Sequence, residues 1–450
     1  MNKMIYSNEI NKFHHLNTLI LILSSLSMIS LFFIAWLPSY FGLTPSSEII
    51  LGPVSDGHCD PITQGIGLHC FGDYYFPLNF IDDIYPWDTD GAPPYSPVAL
   101  FVFSFFNKLS TTFNSGSIGL ITYLIISPFT LLFLLVKSFR KFRYPVLYLV
   151  IIFTHIIASY PFLFAFDRGN SILLALPLLI FLFKSYQEKN YSKFLIFVIL
   201  LSFIKIHFII FLLILLTTRK IGKILLFGFV AIVANILPFV IYGKNFLHNL
   251  GSYVNEVSSF QAYTPPGLLN FSLSLPNSVA ILERLFFDVD PVNITYLPSS
   301  VPIFCLILVC FYLWIFGSQF NDNHNFLILL LFIIIFPNVS YAYYLVLLLA
   351  FFIYAIISYL ENITQNQSSN QILLFLSFLT KRDRILIFTC YILLFIPWTI
   401  PWFVVLPDNT ILNQSELNSS LTRFPGQVIL IILFFSLLLR RIQKPDSRTL

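Results

Sequence analysis

The chain has 450 residues, 57% hydrophobic and only 10% charged, with mean hydropathy +0.83. Soluble domains carry about 25% charged residues, so this composition excludes an ordinary soluble fold and points to a polytopic membrane protein. The net charge of +4 gains meaning only when sorted by side of the membrane.

Apolar runs mark about twelve transmembrane helices, at 16–36, 117–136, 146–165, 171–183, 194–205, 206–217, 224–242, 301–316, 326–337, 341–358, 385–402 and 427–439. The first run, Leu16 to Trp36, has full spanning length and lacks a small-residue cleavage site, so it reads as a retained helix. Val98 to Leu109 is also apolar, but as a helix it rises only about 18 Å against a ~30 Å core. It reads as a helix lying in or dipping into the outer interface.

Sidedness supports that choice. With the N-terminus inside, 19 of the 25 basic residues fall on inner segments, among them the Lys137, Arg140, Lys141 and Arg143 cluster. Treating 98–109 as a span would move that cluster outside and break the positive-inside pattern. By the same map 15 of the 21 acidic residues lie outside. The expectation is one all-α integral membrane domain over 1–450, with both termini cytoplasmic.

Three outer segments are long: 37–97, 243–300 and 403–426, the first continuing to 116 if 98–109 does not cross. The helices 171–183, 194–205 and 206–217 hold about a dozen residues each, too few to cross a full bilayer as α-helices. Their outer ends, at Arg168-Gly169-Asn170 and Lys205-Ile206-His207, should lie below the outer surface. Charge and non-helical backbone at that depth are tolerated only in a watered cavity or buried in protein. The sequence thus predicts an outer-face cavity roofed by loops 37–97 and 243–300.

The first outer loop packs acids among aromatics: Asp73, Asp82, Asp83, Asp88 and Asp90 among Tyr74, Tyr75, Tyr85, Trp87 and Tyr95. Asp73 reads as a general base near a membrane-embedded donor, or as a solvated loop aspartate or helix N-cap; spacing alone leaves both open. Asp82 and Asp83 are adjacent and would not share a helix face, so metal binding by the pair is only weakly signalled; they are the reserve candidates for the base. Asp88 and Asp90, before Gly91, have the look of turn residues. Cys59 and Cys70 share this loop and can pair if it faces an oxidising compartment.

Arg168, beside a permissive glycine and a helix start, suits an anionic phosphate, or equally an internal pair with Asp167 or a snorkelling role. Lys205 and His207 interrupt two apolar half-length helices, eleven residues from the nearest polar loop, which is hard to explain by snorkelling and favours phosphate or substrate contact. Pro337 to Tyr344, with Tyr341, Tyr343 and Tyr344, forms another outer turn. There is no Walker loop, dinucleotide-binding turn, zinc spacing or nucleophile elbow, and neither a metal nor a cofactor is indicated.

The pattern resembles polytopic glycosyltransferases of the C-type fold, closest to glycosyltransferase family 87, the polyprenol-phosphate-mannose-dependent group. Asp73-Tyr74-Tyr75 and Ala92-Pro93-Pro94-Tyr95-Ser96-Pro97 resemble the family's first outer loop, and Arg168-Gly169-Asn170 its arginine-glycine turn. Lys205-Ile206-His207 resembles its lysine turn without the proline. Ser340-Tyr341-Ala342-Tyr343-Tyr344 resembles its late segment, with Tyr343 where a histidine is often found. The resemblance implies an inverting hexosyltransferase, possibly a mannosyltransferase, at the extracytoplasmic face of a bacterial-type cytoplasmic membrane. It implies Asp73 as base, Arg168, Lys205 and His207 at the donor phosphate, and Tyr74, Tyr75, Tyr95, Asn170, Tyr341, Tyr343 and Tyr344 around the substrates. The partners it implies are a polyprenyl-phosphate-linked sugar, a lipid or glycan acceptor and membrane lipid, with no nucleic acid. The competing classes are a polysaccharide polymerase or ligase, against which the outer segment 243–300 offers only Lys244 and Arg284 as cations, and a transporter, for which no internal repeat is found.

Overall fold

The structure, a computed structural model, describes residues 71–81, 83, 85–88, 95–115, 117–140, 145–240, 245–263, 273–287, 300–337, 340, 342–364, 381–395 and 414–439, with Ser25 and Ile29 besides. The expected first span at 16–36, apart from those two residues, and the cysteines Cys59 and Cys70 lie outside these. Among the described residues the chain is all helical.

A short helix α1 (Gly72–Leu78) and a longer one α2 (Pro97–Thr112) fall in the stretch expected to form the first outer segment. α2 starts where Ser96 caps it, its hydroxyl accepting from the Ala99 N–H at 3.4 Å, with Pro97 in the first turn, where its missing N–H costs nothing. One face of α2 buries Leu100, Phe103 and Phe106, while Phe101 and Phe105 stay exposed on the other. α3 (Ile118–Phe139) packs against it so closely that a Cβ on Gly119 would fall 2.0 Å from the Phe106 carbonyl oxygen. α3 exposes Ile121, Ile125, Phe129 and Phe133 at four-residue spacing, a lipid-facing stripe.

Among the described residues two helices are long and apolar enough to cross a membrane, Ile118–Phe139 and Ile221–Val240. A third candidate is a bent pair, α4 (Pro145–Ile157) and α5 (Tyr160–Arg168), meeting at 61°. The bend has a local cause: Ser159 is extended, and Pro161 sits in the first turn of α5, where it cannot continue a hydrogen-bond ladder from α4. The remaining apolar helices, α6 (Ile172–Gln187), α7 (Tyr191–Ile204), α11 (Ser300–Ile315), α12 (Asp322–Ile335) and the apolar parts of α13 (Val346–Thr364) and α15 (Gln414–Leu438), are shorter. α8 (Ile221–Ile236) runs on into a 3₁₀ turn, Leu237–Val240. α9 (Phe246–Tyr263) and α10 (Leu275–Phe287) fall in the stretch 243–300, and α14 (Lys381–Phe395) pairs with α15.

One segment departs from expectation. Ile206–Thr218 winds as a 3₁₀ helix rather than an α-helix. At about 2.0 Å per residue it reaches about 26 Å, longer than an α-helix of the same residues but still short of a ~30 Å hydrocarbon core. Thr217 and Thr218 bond back to the Ile214 and Leu215 carbonyls at 2.8 and 3.1 Å near its end.

The centre of the bundle is aromatic. Phe183 on α6 meets Phe211, Phe326, Phe351 and Tyr354 with ring centroids 4.7 to 6.3 Å apart. α12 is buried on every side from Phe326 to Ile335, as expected of an innermost helix. Helices in lipid gain no hydrophobic drive by associating, so such ring interlocking carries the packing.

The stretch between α1 and α2 is tied down at two points. Trp87 packs on Phe239 and Tyr253 and donates from Nε1 to the Tyr95 carbonyl at 3.2 Å. Asp88 bonds His248 at 2.7 Å and accepts from the Ser252 hydroxyl at 2.6 Å, and these two hydrogen bonds hold its carboxyl below its ordinary pKa. Asp88 is therefore a clasp onto α9 rather than the simple turn residue its spacing suggests. If α2 does not cross, Ser115 in the α2–α3 turn faces outward. Cysteine labelling of Ser115→Cys should occur from outside intact cells; labelling only after permeabilisation would remove the proposed sidedness.

Candidate active site

The local sequence explains why charge collects at the end of α5. Its last turn closes on Gly169, left-handed at φ +62°, with the Gly169 N–H bonded to the Phe166 carbonyl at 3.0 Å and the Asn170 N–H to Ala165 at 2.9 Å. A side chain at 169 would be strained, and its Cβ would also lie 2.9 Å from the Tyr74 Cβ. Glycine thus lets α1 rest directly on this turn. Tyr123 holds it from below, donating to the Gly169 carbonyl at 3.1 Å.

With α1 on the turn, Asp73 meets Arg168 and Asn170. Arg168 Nε donates to Oδ2 at 2.8 Å and Nη2 to Oδ1 at 2.7 Å, a two-pronged pair, and Asn170 Nδ2 adds a third bond to Oδ2 at 2.6 Å. The Asn170 side-chain oxygen accepts from the Ile172 N–H at 2.9 Å, which fixes the amide's orientation. The side chains are largely sequestered, Arg168 10% and Asp73 15% exposed. A carboxylate has about four lone-pair sites, and three are filled among the described residues. One remains, on Oδ1.

Burial alone would raise the Asp73 pKa. The charge of Arg168, the hydrogen bonds from Arg168 and Asn170, and the more distant charge of Lys205 outweigh it and hold the carboxyl below its ordinary value of 3.8. Asp73 is therefore ionised at any physiological pH. It occupies the first turn of α1, where a negative charge also complements the helix dipole.

Lys205 enters from another helix junction. It is extended, φ −149° and ψ 120°, between α7 and the 3₁₀ helix. Its ammonium lies 5.1 Å from the centre of the Tyr95 ring and makes no hydrogen bond to a described residue. Tyr95 is brought there by its neighbour: Ser96 donates to the Phe203 carbonyl at 3.1 Å, pinning the start of α2 to the end of α7. Next to Lys205, the His207 ring lies 5.6 Å from Tyr344, and its buried Nε2 has no hydrogen-bond partner among the described residues.

A ladder of rings closes the site. Tyr344 stacks on Tyr343, Tyr343 on Phe164 and Phe164 on Tyr160, with centroids 5.4 to 5.9 Å apart. The Arg168 guanidinium sits 5.9 Å from both the Phe164 and Tyr343 centroids. Tyr74 packs on Tyr123, Tyr75 and Phe103.

Of the residues singled out by sequence, Asp73, Tyr74, Tyr75, Tyr95, Arg168, Asn170, Lys205, His207, Tyr343 and Tyr344 gather in this region. Asp83 is exposed to solvent, and Asp82 and Tyr341 lie outside the described residues. Arg168 pairs with Asp73, ninety-five positions away. Tyr123 and Phe164 escaped the sequence reading, since each lies inside an apolar helix with no local mark. Among the described residues no three His, Cys, Asp or Glu side chains converge as metal ligands.

Residues 94–337, just over half of the chain, match Glycosyltransferase family 87. The chain belongs to glycosyltransferase family 87. It is an enzyme of the transferase class, and its apolar helices fit a membrane glycosyltransferase. No curated protein matches it. The family 87 match takes in Tyr95, Arg168, Asn170, Lys205 and His207, while Asp73 precedes it and Tyr343 and Tyr344 follow.

Proposed function

We propose that this family 87 enzyme transfers a hexose, with mannose the first candidate, from a polyprenyl-phosphate donor to an acceptor hydroxyl at the extracytoplasmic face, with inversion. The carrying observation is the buried Asp73–Arg168–Asn170 group with the ammonium of Lys205 beside it, which makes no hydrogen bond to a described residue. In this reading about twelve spans form one membrane domain of C-type arrangement, and the charged group opens into an outward cavity beneath the long loops.

The chemistry follows from charge. The acceptor hydroxyl donates to the remaining lone pair of Asp73 Oδ1, and its oxygen attacks the anomeric carbon. As that bond forms, the bond from the anomeric carbon to the phosphate oxygen breaks, its electron pair leaves with the lipid phosphate, and the hydroxyl proton passes to Asp73. The phosphate carries one negative charge as a diester and gains a second as it departs. Positive groups placed there stabilise the transition state more than the ground state. Lys205 and Arg168 provide that field, His207 Nε2 donates to the phosphate, and Arg168 and Asn170 also orient the base. A carboxylate held at low pKa is a weak base, suited to taking the proton late, when the attacking oxygen has become acidic. The rings of Tyr74, Tyr75, Tyr95, Tyr343 and Tyr344 supply apolar walls and stacking faces for sugars.

Purified protein given polyprenyl-phosphate hexoses should turn over these and not the corresponding nucleotide sugars; turnover of a nucleotide sugar alone would overturn the reading. Lys205→Ala should weaken lipid-linked donor binding by about 2–5 kcal/mol in a direct titration, as expected for a sequestered charged contact. Unchanged affinity in a folded Lys205→Ala protein would remove it from the phosphate site.

A further inference from the structure

At the opposite end of α7 from Lys205 lies a second cationic group that the transfer reaction does not use. Tyr191 opens α7, and its ring has Lys220 Nζ 3.8 Å and Lys223 Nζ 3.9 Å from its centre. Lys220 also donates to the Tyr191 hydroxyl at 2.5 Å. Arg219, left-handed at φ 54°, turns its guanidinium to 5.9 Å from the Trp314 ring at the end of α11. None of Arg219, Lys220 and Lys223 forms an ion pair with a described carboxylate.

Two ammonium groups on one ring stand within about 8 Å of each other, one Debye length at physiological ionic strength, so they repel unless an anion joins them. The ring and the indole are the aromatic types that mark the headgroup level of a bilayer. Directly beyond the cations, α8 exposes Ile221, Leu225, Leu226 and Phe229, and the adjoining α7 exposes Ile196. Cations against such rings, next to exposed apolar side chains, match the two halves of one kind of molecule.

We propose that Tyr191, Arg219, Lys220 and Lys223 bind the phosphate of an anionic phospholipid in the leaflet opposite the Asp73 group, with its acyl chains along α7 and α8. Chain length supports the placement, because fourteen α-helical residues separate Tyr191 from the Lys205 junction, about 21 Å of rise. The interaction is distinct from donor binding, which uses the other end of the bundle.

The test uses the full-length protein in nanodiscs of phosphatidylcholine containing spin-labelled phosphatidylglycerol or spin-labelled phosphatidylcholine. Wild type should retain the labelled phosphatidylglycerol preferentially. Lys220→Gln/Lys223→Gln should lower that preference about tenfold or more, since each basic residue near a headgroup contributes severalfold. Inorganic phosphate at millimolar concentration should not displace the lipid. Tyr191→Phe, which keeps the ring and removes only the hydroxyl, provides a milder variant and should lower the preference by a smaller factor. Equal retention of both lipids by wild type, an undiminished preference in the folded double variant, or displacement by free phosphate would each overturn the proposal.

Discussion

Asp73→Asn should lower kcat by about 10²–10⁴, the usual contribution of a general base, while donor binding survives or tightens. The substitution keeps size and shape but removes the negative charge and the proton acceptor on Oδ1. Donor affinity should not fall, because the lost charge repels the donor phosphate. The matching change at exposed Asp83 should leave turnover near normal. The pH profile separates Asp73 from a base of ordinary pKa. With its pKa held below 3.8, Asp73 stays ionised as pH falls through the usual carboxylate range, so kcat/KM should show no acid limb from this group until below it. An acid limb near neutrality, or abolition of turnover by Asp83→Asn with Asp73→Asn active, would assign the base elsewhere.

Arg168→Ala should be the most destabilising single change at the site. It leaves the Asp73 carboxylate sequestered with Asn170 as its remaining partner among the described residues, and breaking a buried pair from one side costs about 3–5 kcal/mol. The sign with pH is fixed by the depressed pKa. In the wild type the pair's stabilisation is fully present above the ordinary carboxylate range and is lost as pH falls through the lowered folded value. In Arg168→Ala burial acts on Asp73 with less opposition, so its pKa rises and the acid limb of activity moves upward. Arg168→Lys should recover part of the stability but not the two-pronged orientation, because an ammonium is a point charge. Thermal unfolding in nanodiscs across pH measures this; equal stability of wild type and Arg168→Ala would mean that the pair contributes nothing.

Much of the site was legible in order but not in contact. The segments around Asp73, Arg168, Lys205 and Tyr343 sort to one side of the membrane by loop charge alone, and they meet in the fold. The Arg168-Gly169-Asn170 turn was readable because glycine is the residue that enters a left-handed helix end without strain. Lys205 was readable because charge between two apolar runs demands a reason. The pairing of Asp73 with Arg168 was not readable. Each residue had a sensible local partner or solvent role, and nothing in spacing joins two positions ninety-five apart. The same holds for Asp88, whose turn-like context hid a clasp to His248 and Ser252 on α9. The 3₁₀ winding of Ile206–Thr218 was hidden too, since an unbroken apolar run reads alike at 3.0 and 3.6 residues per turn. Tyr123 and Phe164 support the site from within apolar helices, where an aromatic residue signals only packing.

The central claim is that Asp73 acts as a base in a single displacement and never becomes bonded to the sugar. The anomeric configuration of the product tests this most directly, by nuclear magnetic resonance of a disaccharide product made from a polyprenyl-phosphate hexose of known anomer. Direct attack by the acceptor inverts the centre, so a β-linked donor should give an α-linked product. A product that retains the donor's configuration would require a covalent intermediate and two displacements, and would contradict the role of Asp73 as base.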